Sequence, residues 1–191
     1  MDLGDFEALV IAAEESQSLD FKGPCSWNVR ELAKDFLAMA NVQDGGYLVF
    51  GFNDGTFERI GLTDDQVSSF DQEIMQDQIA EFADPHVEFR VYNGIVDADG
   101  KKFVVVRIFE FSEVPVVCKR DSTDVAKGRM YYRTKTRRPS SEQVSNAYEL
   151  RDILDRSTAK IMAIRRAQGY AAAEAPDASR VRQYEEELGG L

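Results

Sequence analysis

Residues 47–52 (YLVFGF) form a nearly all-apolar run of β-prone residues directly after the glycine pair 45–46. A strand with one face in water alternates polar and apolar residues, so this run predicts a strand that is buried on both faces. The turn residues 53–55 (NDG) end the strand. The chain therefore has to place other elements of structure on both sides of it.

Apolar spacing and turn residues predict the other elements. We expect helices at 3–14, 28–40, 64–83 and 140–156, with a further helical stretch to about 167, and strands at 18–22, 47–52, 87–92, 103–109, 115–119 and 130–133. Residues 140–143 (SSEQ) mark the start of the fourth helix. This order is typical of an α+β fold, with a mixed, mainly antiparallel sheet flanked by helices. We expect one domain over 1–157 and a C-terminal helical extension or tail over 158–191.

The composition sets broad limits on the class of protein. A chain of 191 residues with 43% hydrophobic residues can bury a sizeable core. Its two cysteines, Cys25 and Cys118, have neither zinc-site nor C-x-x-C spacing, so we expect a reduced, cytoplasmic setting. The acidic N-terminus does not resemble a signal peptide, and no apolar run approaches the roughly 18 residues that span a membrane.

Charge is distributed unevenly along the chain. The net charge of −11 argues against a general nucleic-acid binder. Residues 119–138, however, hold eight basic residues and two acidic ones, whereas Arg90 is the only Lys or Arg in residues 64–99. This segregation predicts one positive face, unless the charges simply face solvent. The predicted nucleic-acid-binding residues are Lys119, Arg120, Lys127, Arg129, Arg133, Lys135, Arg137 and Arg138.

Three short blocks carry a family resemblance: residues 15–22 (ESQSLDFK), 38–41 (AMAN) and 45–54 (GGYLVFGFND). Their order and spacing resemble the Schlafen AlbA-type domain, with its pattern E-S-x-x-L-E-F-K, then A-x-A-N-T-x-G-G-x-L-x-I-G-V-x-D. The resemblance covers about residues 14–140, and Asp20 stands where the family has glutamate.

The resemblance implies catalytic residues. In the nuclease members three carboxylates bind a metal ion, and the matching residues here are Glu15, Asp20 and Asp54. Such carboxylates hold Mg²⁺ or Mn²⁺, which binds the scissile phosphate and generates the attacking hydroxide. Lys22 has the same strand parity as Asp20, so we expect it to project beside Asp20 and neutralise a phosphate oxygen. The alternative is that Glu15 and Asp54 are only a cap and a turn residue.

Asn41, Gly45 and Gly46 follow the predicted second helix and have two interpretations. The glycines are a helix C-cap, or their backbone N–H groups approach a phosphate. Relatives of the family have been described as possible ATP binders on this stretch, but the chain contains no P-loop motif.

The expected function is that of a divalent-metal-dependent endoribonuclease acting on structured RNA such as tRNA. In the family the full active core has two such lobes, so we expect a homodimer. One alternative is a non-catalytic DNA- or RNA-binding module of a transcriptional regulator, slightly favoured by Asp20 in place of glutamate. Others are a nucleotide (ATP)-binding interaction protein and an acidic interaction protein whose motif is structural.

Overall fold

Five helices and eight strands make up the part of the chain that the computed structural model describes, residues 1–11, 14–53, 55–135 and 139–170. The helices are α1 Leu3–Val10, α2 Val29–Ala40, α3 Asp64–Ser69, α4 Gln72–Ala80 and α5 Ala147–Ala167. The strands are β1 Leu19–Lys22, β2 Gly46–Phe50, β3 Ala83–Asp84, β4 Phe89–Val96, β5 Lys102–Ile108, β6 Val117–Cys118, β7 Tyr131–Arg133 and β8 Ser141–Gln143. The predicted α+β class is confirmed.

The main sheet has four strands in the order β1-β2-β5-β4. Strands β1 and β2 are parallel, and the other two pairs are antiparallel. The predicted mixed, mainly antiparallel sheet is therefore confirmed. Leu48, Val49 and Phe50 of the internal strand β2 are completely buried, as the apolar run predicted.

Apolar layers cover both faces of this sheet. On one face, Phe50 and the α2 residue Phe36 belong to a core that includes Phe70, whose ring centroid lies 4.7 Å from that of Phe50. On the other face, Phe6 of α1 packs with its ring centroid 5.1 Å from that of Phe103 in β5. The sheet is consequently covered on both faces, and β1 lies at one of its edges.

The side chain of Gln72 protects the opposite edge of the sheet. Its Nε2 donates to the carbonyl oxygen of Phe89 at 3.1 Å, and its Oε1 accepts from the N–H of Val91 at 2.7 Å. Both backbone groups belong to the edge strand β4. A strand edge satisfied in this way is a poor template for pairing with another chain.

The predicted start of the last helix is wrong. Residues Ser141–Gln143 form β8, which pairs antiparallel with β7, so that Ser141 lies opposite Arg133. The helix α5 instead follows Asn146, whose side chain accepts from the N–H of Glu149 at 3.0 Å. Pairing with β7, the preceding strand of the hairpin, keeps these residues extended. The helix continues unbroken past residue 157, the expected end of the domain, and residues 171–191 of the predicted tail lie outside the described residues.

The predicted helix 64–83 is divided into α3 and α4. Asp71 starts α4 because its Oδ1 accepts from the N–H groups of Glu73 and Ile74, both at 3.0 Å. The preceding residue, Phe70, is fully buried in the core. The cap and the buried ring together stabilise the break.

None of the helices in the described ranges is long and apolar enough to cross a membrane.

Candidate functional site

An open, polar cleft of about 400 Å³ lies beside the outer edge of β1. It is lined by β1, by the first half of α2, by the loop between β6 and β7, and by the β7–β8 hairpin. Three of the predicted catalytic residues line it, together with acidic and basic neighbours. The charged lining residues are Glu15, Asp20, Lys22, Glu31, Lys34, Asp35, Asp124, Arg133 and Glu142.

Lys22 lies between two buried aspartates. Its Nζ is 2.9 Å from Oδ2 of Asp20 and 2.8 Å from Oδ2 of Asp35. Burial alone would lower the pKa of Lys22, but Asp35 and Asp20 outweigh that effect and raise the pKa well above its usual range. The predicted position of Lys22 beside Asp20 is confirmed, and its side chain keeps 29% of its surface exposed on the cleft.

Arg133 is buried beneath the cleft and is only 1% exposed. Its Nη1 lies 3.1 Å from Oδ1 of Asp20, and its Nη2 donates to the carbonyl oxygens of Ser16 at 3.3 Å and Leu19 at 3.5 Å. This guanidinium therefore neutralises Asp20 and satisfies backbone groups at the edge of β1. The structure does not place Arg133 on an exposed basic face.

Glu15 approaches Asp20 at the edge of β1. Its Oε1 accepts from the N–H of Phe21 at 3.3 Å. Partial burial, a hydrogen bond with Asp20 and repulsion by the Asp20 charge raise the pKa of Glu15 to about 7. Two of the three predicted metal ligands thus form a carboxyl pair that retains a proton near neutral pH.

The carboxyl pair fits a hard divalent cation in part. Glu15 and Asp20 offer the oxygen ligands that Mg²⁺ and Mn²⁺ prefer, although Asp20 also contacts Lys22 and Arg133. The third predicted ligand, Asp54, lies outside the described residues. Within the described residues there is no group of three His, Cys, Asp or Glu side chains arranged to hold a metal ion.

The raised pKa of Glu15 predicts a pH-dependent stability. Between pH 4.5 and about 7, the Glu15 side chain is protonated in a larger fraction of folded molecules than of unfolded molecules. The stability due to protonated Glu15 is therefore complete below pH 4.5 and is lost as the pH rises through about 7. We expect the free energy of unfolding of the wild type, minus that of Glu15→Gln, to fall across this window. Urea denaturation of both proteins in metal-free buffer measures the difference, and a constant difference would contradict the assigned pKa.

Five of the predicted nucleic-acid-binding residues are exposed: Lys119, Arg120, Lys127, Arg129 and Lys135. Two of them form ion pairs, Arg120 with Glu81 and Lys135 with Asp152, the latter at 3.2 Å. Arg137 and Arg138 lie outside the described residues.

Asn41 is completely buried and holds two segments of the chain together. Its Nδ2 donates to the carbonyl oxygens of Val116 at 2.9 Å and Tyr131 at 3.0 Å, and its Oδ1 accepts from the N–H of Val116 at 2.9 Å. These contacts give the Asn41 side chain a structural role.

Close packing around Gly45 and Gly46 also requires glycine at both positions. Gly45 has a φ of +71°, and a Cβ there would lie 2.2 Å from the carbonyl oxygen of Ile108. A Cβ on Gly46 would lie 2.2 Å from Sδ of Met39. Contact of Asn41, Gly45 and Gly46 with a phosphate stays a prediction.

Asp35, which is 6% exposed and pairs with Lys22, was not predicted as a site residue. The available signal was its position in α2, between the buried apolar residues Leu32 and Met39. A charged residue at such helical spacing needs a partner inside the protein.

No curated protein matches the chain. A solved structure, the DIP2311 protein from Corynebacterium diphtheriae, matches with a TM-score of 0.49 and 19% sequence identity. The match covers 77% of this chain and 27% of that chain, so this chain spans about a quarter of that protein's length. The family model described as Schlafen, AlbA_2, a family generally associated with nucleic-acid binding, matches residues 15–140. Since this match covers more than half of the sequence, the chain belongs to the Schlafen AlbA_2 family.

Proposed function

We propose that this domain binds structured RNA, such as tRNA, and hydrolyses it with the help of a divalent metal ion. The observation that supports this most is the meeting of Glu15 and Asp20 at an open cleft that also exposes a lysine. Mg²⁺ or Mn²⁺, held by Glu15, Asp20 and Asp54, would activate water and polarise the scissile phosphate.

Two other residues of the cleft have supporting roles in this proposal, one as a phosphate contact and one as a positioning residue. Lys22 is held in place by Asp20 and Asp35, and its ammonium group is positioned to offset the charge of a phosphate oxygen in the cleft. Arg133 fixes the orientation of Asp20 from below and is too buried to contact the RNA itself. Lys22 is therefore the proposed phosphate contact, and Arg133 a positioning residue.

Incubation of the purified protein with total tRNA tests the proposal. We expect cleavage with Mg²⁺ or Mn²⁺ and none with EDTA. An intact tRNA pool under all three conditions, with a protein that folds normally, would contradict the nuclease proposal.

One observation favours a second candidate function, non-catalytic binding of RNA or DNA. Asp20 is 5% exposed and already contacts both Lys22 and Arg133, so its charge is neutralised without a metal ion. A protein of this kind would bind nucleic acid equally well with Mg²⁺ and with EDTA, and would leave it uncut. Binding measured beside the cleavage assay distinguishes the two functions.

The exposed basic residues are proposed to supply phosphate contacts. We expect the combined change of Lys119, Lys127, Arg129 and Lys135 to Ala to weaken RNA binding. Each lost phosphate contact should flatten the slope of log K against log salt concentration by roughly 0.7–0.9. Titration of a labelled tRNA at several salt concentrations measures the slope.

A matched control removes four other exposed arginines, Arg90, Arg151, Arg165 and Arg166. It makes the same change in net charge and should leave the slope closer to that of the wild type. Equal slopes for the wild type and the first variant would mean that the phosphate contacts lie elsewhere.

The homodimer stays a proposal. A two-fold pair of lobes would concentrate positive potential in one groove on an otherwise acidic protein. The side chain of Gln72 already makes hydrogen bonds with the backbone groups of Phe89 and Val91. Pairing of two copies through the edge of β4 is therefore disfavoured. Sedimentation equilibrium with and without tRNA measures the oligomeric state.

A further inference from the structure

A second groove, of about 690 Å³, lies between the β7–β8 hairpin and the first turn of α5. Glu142 of β8 lines both this groove and the cleft that contains Glu15 and Asp20. The two depressions are therefore neighbours that meet at Glu142. A polynucleotide lying in the cleft can reach the groove with an adjacent nucleotide.

Tyr148 forms one side of the groove and is 91% exposed. The two tyrosines of β7 are different, because Tyr131 and Tyr132 are only 5% and 1% exposed. A hydrogen bond also holds Tyr132 in place, because its hydroxyl donates to Oδ2 of Asp152 at 2.8 Å. Tyr148 is thus the aromatic ring of this region that offers a free face.

The remaining lining of the groove suits a base better than a phosphate. Gln143, Ser145 and Asn146 bring amide and hydroxyl groups that match the hydrogen-bonding edge of a base. Glu142 and Glu149 add negative charge, which repels a phosphate within the groove. Among the described residues that line the groove the one cation is Lys135, whose Nζ is held 3.2 Å from Oδ1 of Asp152.

We propose that this groove holds an unpaired nucleobase of the bound RNA, stacked on the ring of Tyr148, while Lys135 contacts the adjoining phosphate. The proposal rests on the proposed RNA-binding function and adds a base-binding subsite next to the cleft. Base stacking on an aromatic side chain depends on the face of the ring, so its hydroxyl group is dispensable. Lys135, in contrast, acts through its charge.

The test is anisotropy of a short fluorescein-labelled single-stranded RNA of mixed sequence, titrated with protein in EDTA. We expect Tyr148→Ala to weaken binding about 5- to 150-fold, the range measured for loss of one stacked base. Tyr148→Phe should bind like the wild type. The salt dependence should be unchanged in Tyr148→Ala, whereas Lys135→Ala should flatten the slope by about 0.7.

Tyr170 provides the matched control, since it is 66% exposed but follows the opposite end of α5. Tyr170→Ala should bind like the wild type. An RNA made of abasic nucleotides should remove the difference between wild type and Tyr148→Ala. Equal binding of the labelled RNA by wild type and Tyr148→Ala would overturn the subsite alone, and so would an equal loss in Tyr170→Ala. Failure of the wild type to bind this single-stranded RNA would overturn the subsite, whereas failure to bind or cleave tRNA would overturn the proposed function.

Discussion

Replacing Arg133 by alanine is expected to lower the free energy of unfolding by about 3–5 kcal/mol. Asp20 is 5% exposed, and Arg133 approaches its Oδ1 to 3.1 Å. Without the guanidinium, Asp20 keeps Lys22 as its one cationic partner among the described residues, and the carbonyl oxygens of Ser16 and Leu19 lose a donor. Urea denaturation followed by circular dichroism measures the effect.

Two further variants separate this ion pair from a general effect of lost charge. Arg120→Ala removes an exposed partner of Glu81 and should cost at most about 1 kcal/mol. Adding Asp20→Asn to Arg133→Ala should recover part of the lost stability, because the amide carries no unpaired charge. An Arg133→Ala protein within about 1 kcal/mol of the wild type would contradict the role assigned to the pair.

Features that depend on local periodicity could be predicted from the sequence. The apolar run of β2 predicted a strand inside the sheet. The two-residue period of a strand predicted that Lys22 projects beside Asp20. The family motif also predicted that Glu15 and Asp20 lie close together. In the structure these two side chains form a carboxyl pair. All of these relations span short stretches of chain.

Features that depend on distant contacts could not be predicted in the same way. Arg133 belongs to a basic run, and no local signal distinguishes it from its exposed neighbour Lys135. Its burial follows from pairing with Asp20, which is far away in the sequence. The strand β8 was mistaken for a helix start although its partner is near in the sequence, because only its pairing with β7 makes it a strand.

Replacing Glu15 by glutamine is expected to reduce tRNA cleavage to the level seen with EDTA, because the amide no longer supplies a charged metal ligand. The fold should be retained, since the amide oxygen of glutamine can still accept the hydrogen bond from Phe21. Asp54→Asn should have the same effect on cleavage if Asp54 is the third ligand. The rate of tRNA cleavage in Mg²⁺ or Mn²⁺ measures both effects.

Binding distinguishes loss of a metal ligand from loss of the RNA site. In EDTA, Glu15→Gln should bind tRNA as tightly as the wild type or more tightly, because one source of repulsion for phosphate has been removed. Glu14→Gln makes the same substitution at the exposed neighbouring residue and should cleave normally. Cleavage by the double variant Glu15→Gln, Asp54→Asn at the wild-type rate would exclude these carboxylates as metal ligands of the catalytic site, and the cleavage would then have to come from other residues.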